Sequence, residues 1–254
     1  MVNLSAPELE TYSDKYQSAA SAKDYEQRIY AAGGGSEALW KIEQQVMDRL
    51  LARYCPRHQE AEALDFACGS GRILKYLQAR TKSLIGVDIS AAMLELAQEK
   101  VGQGVKLICT DIVARPESIP GDRDLVTAFR FLLLAEAPLR AACIAELAKK
   151  VKTPGGVMIL NSHGNPFSFR AIASLRNRLL GREPLPKFSI GDMRKLAEAC
   201  GLKIIATSGM GFVPGALVRL LPARLVNWIE RILADKPIIW RLGTNLFFVC
   251  ERKV

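Results

Sequence analysis

The chain has 254 residues, 49% hydrophobic and 24% charged, which suits one folded domain with insertions and excludes a disordered polymer. No apolar run reaches the roughly 18 residues that a bilayer span needs, and the opening Met1-Val2-Asn3-Leu4 lacks the basic start of a secretion signal. Six scattered cysteines without a CxxC pair fit reduced thiols in a cytoplasmic protein better than disulfides or zinc. The net charge of +9 is uneven: residues 1–163 hold 20 basic and 20 acidic side chains, residues 164–254 hold 15 and 6. A basic field confined to the last third can attract an anionic substrate, nucleic acid or an acidic membrane, or it can be a plain solvated surface.

Residues 1–58 read as a helical N-terminal cap, with Leu39, Ile42, Val46, Met47 and Leu50 at helical spacing. The break at Gly33-Gly34-Gly35 interrupts it. From residue 59 short apolar runs alternate with amphipathic helices. Strands are predicted at 63–67, 84–87, 105–109, 124–129 and 156–161, with helices at 71–79 and 91–101 and through 141–151. Buried strands alternating with helices imply a doubly wound, mostly parallel α/β sheet covered on both faces. Ser189-Ile190-Gly191-Asp192 has the form of a capping box, opening a helix that Gly201 ends. Two last strands follow, at 202–207 and 245–250, which makes seven.

Two helical insertions interrupt this alternation, at about 164–188 and 209–244. Residues 167–180 and 216–233 read as amphipathic helices, arginines on one side and large apolar residues on the other. Following strands five and six, they can fold over an acceptor pocket as an apolar lid. They can equally rest on an anionic membrane with Trp228 and Trp240 nearby, bind RNA through their charge, or simply pack on the core. Few exposed aromatics argue against RNA.

The most informative stretch is Leu64-Asp65-Phe66-Ala67-Cys68-Gly69-Ser70-Gly71, a glycine turn set between a strand and a helix. Such a turn lets backbone approach a ligand closely, beside free N–H groups of a helix start. A nicotinamide fingerprint would require glycine where Leu74 stands, and Asp65 is a poor neighbour for a pyrophosphate. A ligand bearing an ammonium and a sulfonium, such as S-adenosylmethionine (SAM), favours that carboxylate. Asp88, ending the second strand before Ile89, can accept from two ribose hydroxyls while Ser90 caps the next helix. Asp111 can accept from an adenine amine, with Ile112 on the ring face, or act as a turn acid.

These segments, Asp65 to Gly71, Gly86-Val87-Asp88-Ile89-Ser90 and Cys109-Thr110-Asp111, resemble the first three SAM-binding motifs of class I methyltransferases. The resemblance covers roughly residues 60–163 and implies a seven-stranded sheet whose last strand is antiparallel. It further implies Gly69 and Gly71 against the methionine moiety, Asp88 at the ribose and Asp111 at the adenine, with S-adenosylhomocysteine as product; Ala67 in the same turn is a further cofactor-binding candidate. An N-terminal segment often closes over the cofactor in related enzymes, so Tyr16 is a lid candidate.

The acceptor should meet the cofactor beyond strands four and five. That mouth holds Phe129 and Arg130, both expected to border the cofactor there, and His163. His163, with an ordinary pKa near ~6.5, suits a general base or an acceptor-orienting group, or it is a loop histidine bonded to backbone. Arg130 can pair with an anionic acceptor, with the methionine carboxylate or with a structural acid. His58 reads as a surface residue. The Asp/Asn-Pro-Pro-Tyr/Phe signature of base amino methylation and the Pro-Cys of cytosine C5 chemistry are both missing, and no cluster of acids and histidines suits a metal. The expectation is therefore methyl transfer to a hydroxyl of a small or amphiphilic, lipid-linked molecule by a cytoplasmic enzyme, with peripheral contact to an anionic membrane. The alternatives are an RNA or protein methyltransferase using the basic third and a non-catalytic SAM-binding subunit.

Overall fold

The computed structural model describes residues 18, 20–24, 35–218, 220–234, 236 and 238–253. Seven strands form one sheet: β1 (Glu62–Phe66), β2 (Ser83–Asp88), β3 (Lys106–Cys109), β4 (Leu125–Ala128), β5 (Val157–Ser162), β6 (Leu202–Met210) and β7 (Asn245–Arg252). Their order is β3-β2-β1-β4-β5-β7-β6. β1 to β5 pair in parallel, while β7 runs antiparallel to both β5 and β6. This is the doubly wound sheet with an antiparallel last strand that the sequence implied.

Alternation along each strand sorts the core into two layers, since successive side chains point to opposite faces. Ala63, Leu84, Leu125, Val157, Ile159, Phe247 and Val249 join one cluster, with α1 (Gly35–Tyr54), α2 (Arg72–Gln78) and α3 (Ala91–Val101). Leu64, Ile85, Val126, Met158, Leu160 and Phe248 join the other. There they meet α4 (Phe131–Leu134), α5 (Ala137–Lys150) and, after the first insertion, α7 (Ile190–Ala199). Ile42, Val46, Met47 and Leu51 of α1 are buried in the first cluster, so this helix is part of the sheet's own packing rather than a cap standing apart from it.

Ser189 opens α7 with the expected capping box: its hydroxyl accepts from Asp192 N at 3.1 Å and Asp192 accepts from Ser189 N at 2.8 Å. Gly201 follows the helix with φ +66°. The first insertion carries α6 (Arg170–Leu179). The second is divided where the sequence suggested a continuous helix: α8 (Gly215–Val218) and α9 (Ala223–Ala234) flank Pro222, which cannot continue a helix begun before it. β6 extends to Met210, so that insertion begins about two residues later than expected. No helix of the described residues is long and apolar enough to cross a membrane.

Candidate functional site

Because β1 to β5 are parallel, everything that follows them lies along one edge. The chain winds from β1 outward to β3, then returns to β4 on the other side of β1. The switch between β1 and β4 is where an open α/β sheet leaves a crevice for ligands. Backbone strain gathers there. Ala67 (φ +51°), Gly69 (+52°) and Gly71 (+81°) turn left-handed after β1, and Arg130 (+60°) does so after β4. At Gly71 a Cβ would also lie 3.0 Å from Ala97 of α3, so this glycine serves helix packing as well as the turn.

A cleft opens over β1, β2 and β3. Ala67, Asp88, Ile89, Asp111 and Ile112 line it, as the sequence indicated. Its remaining wall, Phe66, Thr110, Phe131, Leu139 and Cys143, was not anticipated. Phe131 meets Phe66 edge-on at 5.2 Å between ring centres. Phe131 directly follows Phe129 and Arg130, already singled out, whereas Leu139 and Cys143 come from α5 and have no local signal. Two carboxylates at the ends of adjacent strands, above an apolar wall, match a flat aromatic base with an exocyclic amine joined to a diol.

Asp88 holds the glycine turn from below. Its Oδ2 accepts from Gly69 N at 2.8 Å and its Oδ1 from Ser90 N at 2.9 Å, while Ser90 caps α3 by accepting from Met93 N. An ionised carboxylate has about four acceptor positions, so lone pairs remain for two ribose hydroxyls. Burial pushes its pKa up, and the N–H donors from Ser90, Gly69 and Ile89 oppose this. Asp111 borders the cleft, and its Oδ1 accepts from Val113 N at 2.8 Å as a turn acid.

Asp65 lies beneath the turn rather than on the cleft wall. It is 1% exposed, and its Oδ1 accepts from the Thr127 hydroxyl of β4 at 2.6 Å. Its Oδ2 has no hydrogen-bond partner among the described residues. Burial raises its pKa to about 7, with Thr127 pulling down and Asp88 pushing up. A buried carboxylate oxygen left without a donor fits a cationic ligand group, such as the ammonium of SAM, approaching over the turn.

Phe129, expected at the cofactor, instead packs in the core at 5.9 Å from Phe247. It belongs to the extension of β4, and its ring falls on the face of the sheet covered by α1 to α3. Tyr16 lies outside the described residues. His58 is half-buried, its Nδ1 3.0 Å from Cys55 O, remote from this edge.

His163 stands immediately after β5, beside the end of β4. Burial, then the positive charges of Arg130, Arg170 and Arg72, push its pKa down to about 3. The imidazole is neutral at physiological pH, and its Nδ1 has no hydrogen-bond partner among the described residues. The neighbouring Asn161 Oδ1 and Ser162 Oγ, at the end of the same strand, are also buried without partners. Arg72 is held by Glu43 of α1 at 2.6 Å and lies over the Trp40 ring. Arg170 and Arg72 were not foreseen here, because nothing in their local sequence ties them to residue 163.

Asn165 and Glu230 fix the loops around this mouth. Asn165 is fully buried and donates to Arg241 O and Gly243 O at 2.6 and 2.7 Å, joining the base of the first insertion to the end of the second. Glu230 of α9 accepts from Gly211, Phe212 and Val213 N–H at 2.8, 2.8 and 3.1 Å.

Residues 63–156 match the family described as a methyltransferase domain. A ubiquinone biosynthesis O-methyltransferase of Nitrosomonas europaea is 29% identical over 180 residues, 67% of this chain and 76% of that protein. One from Thiobacillus denitrificans is 24% identical over 171 residues, 64% of this chain and 73% of that protein. Magnesium protoporphyrin IX methyltransferase of Synechocystis PCC 6803, solved with bound SAH, superimposes with a TM-score of 0.61 at 18% identity, over 94% of this chain and 97% of that one. The matched residues build the strands around the cleft, with carboxylates and a glycine turn suited to SAM, and the chain carries the methyltransferase domain of a SAM-dependent enzyme.

Proposed function

We propose that this enzyme methylates a hydroxyl oxygen of a small amphiphilic or lipid-linked molecule, and that the acceptor oxygen reacts in its ionised or strongly polarised form. The observation that carries this is a neutral histidine, His163, under the positive charges of Arg130, Arg170 and Arg72 at the ends of β5, β4 and β1. When bound, SAM supplies a methyl group already activated on a sulfonium. The protein's part is to hold the nucleophile in line and exclude water.

Burial, the largest cause of the low imidazole pKa, penalises any charge, but the positive field of the three arginines favours an oxyanion at the same place. Arg170 is half-buried, and its guanidinium has no acidic partner among the described residues. The neutral His163 accepts a hydrogen bond from the hydroxyl and orients it, Arg130 and Arg170 lower the cost of ionising it, and its proton passes to solvent as the oxygen takes the methyl group from the sulfonium. A histidine with a pKa near 3 is a weak base, so orientation is the reading that fits His163 better than proton abstraction. Asp88 and Asp111 hold the nucleoside end, and Asp65 faces the ammonium beneath the turn. The O-methyltransferase names of the two curated relatives support an oxygen acceptor.

The test is transfer from methyl-labelled SAM into an extract of the native host, separated into organic-soluble, aqueous small-molecule, RNA and protein fractions. Label in an organic-soluble methyl ether is the expected result. Label confined to RNA or protein would replace the proposal with a macromolecular acceptor bound by the basic third. SAM binding with no label in any fraction would make the chain a non-catalytic subunit.

A further inference from the structure

Among the described residues, thirteen large apolar side chains stand exposed, and twelve of them lie between Phe167 and Leu242. They form stripes. On α6, Ile172, Leu175 and Leu179 recur at i, i+3 and i+7, with Ile172 74% and Leu179 78% exposed. No residue of α6 is buried, so this helix does not use its apolar side to cover the core. On α9 the pattern is divided. Val226, Glu230 and Ala234 face inward, while Leu225, Trp228 and Ile232, again i, i+3 and i+7, face outward with Trp228 61% exposed. Leu217 and Leu220 between β6 and α9 extend the same apolar character.

Arginines border these stripes. Arg176 adjoins Leu175 and Leu179 on α6, and Arg224 and Arg231, seven residues apart, adjoin Trp228 on α9; all three are exposed. Residues 164–188 hold five basic and one acidic side chain, and residues 209–244 hold five and two. Both insertions leave the sheet at the edge that carries the SAM cleft, since β5 and β6 point the same way on either side of β7. The Asn165 bonds to Arg241 and Gly243 tie their bases together. Trp240, suggested by sequence as a second interfacial aromatic, is instead partly buried against the core.

We propose that α6, α8 and α9 form a docking surface for an anionic lipid bilayer, which brings the mouth of the site to the membrane. An apolar stripe edged by arginines is the arrangement of a helix lying in the headgroup boundary: the stripe enters the acyl region and the guanidinium groups stay with the phosphates. A monomer seldom leaves so many large apolar side chains at helical spacing in water. A second copy of the chain fits less well, because it would set one row of arginines against another. RNA fits less well because the exposed side chains are aliphatic apart from Phe167 and Trp228. This surface is independent of which atom accepts the methyl group, so its test needs no acceptor.

The experiment is flotation of the full chain with vesicles of phosphatidylcholine alone and of phosphatidylcholine mixed with phosphatidylglycerol, at low and high salt. Trp228 emission is followed in the same samples. Binding to the mixed vesicles, weakened by salt and accompanied by a blue shift, is expected. Leu179→Glu with Trp228→Glu should abolish flotation while leaving the affinity for SAM unchanged, which checks that the variant is folded. Arg224→Gln and Arg231→Gln should each weaken partitioning to the anionic vesicles about fivefold, the effect of about 1 kcal/mol per basic residue near a charged membrane. No flotation with either vesicle overturns the proposal. So does flotation that survives Leu179→Glu with Trp228→Glu, which would reduce the effect to general charge attraction. A concentration-dependent dimer in sedimentation that Trp228→Glu dissociates overturns it in favour of a self-interface.

Discussion

The half of the edge above β1, β2 and β3 and the half above β4, β5 and β6 handle polar groups differently. In the first, Asp88, Ser90 and Asp111 each find backbone N–H donors within the protein, most of them two or three residues away, so the cleft is assembled before any ligand arrives. In the second, His163 Nδ1, Asn161 Oδ1 and Ser162 Oγ are buried without partners among the described residues, and large apolar side chains stand in water. A site for a constant cofactor can be preorganised locally. A site for a particular acceptor leaves groups whose partners come from outside the chain. Asp65 is the exception in the first half, and it sharpens the contrast because its one unsatisfied oxygen lies where the cofactor's only ammonium is expected.

That exception yields the largest expected effect. Asp65 has a folded pKa of about 7 against 3.8 for the free side chain, and an ammonium binds its ionised form. SAM affinity should therefore fall as pH drops below 7, approaching about tenfold per pH unit, and Asp65→Asn should flatten that dependence. Calorimetry across pH checks it; an equal slope in the variant removes Asp65 from the cofactor site. The same shift has a stability consequence for the ligand-free protein. A raised carboxyl contributes stability that is full below 3.8 and is lost as pH rises through about 7, so Asp65→Asn should be favoured over the parent in melting temperature above pH 7.

Asp88→Ala should weaken SAM binding more than tenfold, because it releases the Gly69 N–H and removes the acceptor proposed for the ribose. Unchanged affinity would detach the ribose from β2. On the acceptor side, His163→Gln should lower kcat by about tenfold, as for a lost orienting hydrogen bond, rather than by the roughly 10²–10⁴ of a lost general base. The pH–rate profile should keep its shape between pH 5 and 9, since a group with a pKa near 3 does not titrate there. A limb in that range that vanishes in the variant would restore the base role. The smallest effect belongs to a residue that serves the fold alone: Ser189→Ala should cost about 1 kcal/mol of stability through loss of the α7 cap and leave SAM binding untouched.

Much of the first half was legible in the residues themselves. Strand positions agreed to within a few residues, because strands buried on both faces are short, nearly continuous apolar runs bounded by turn residues, and that pattern is local. Asp88 could be placed because a carboxylate ending a strand beside a glycine turn has few other uses. Phe129 was misassigned for a related reason: proximity in sequence does not say on which face of the sheet a ring falls, and its ring went to the core.

What the amino-acid sequence determined alone was the set of elements, the cofactor turn with its acids, and the concentration of charge in the last third. Each depends on residues within a few positions of one another or on composition. Only the tertiary structure decided that Arg72, Arg130 and Arg170 converge on His163, because they follow three different strands and meet through strand order. Nor could helical periodicity say whether the apolar sides of α6 and α9 turn toward the core or toward water. Amphipathicity specifies that two faces exist, and the packing of the rest of the chain selects which one is covered.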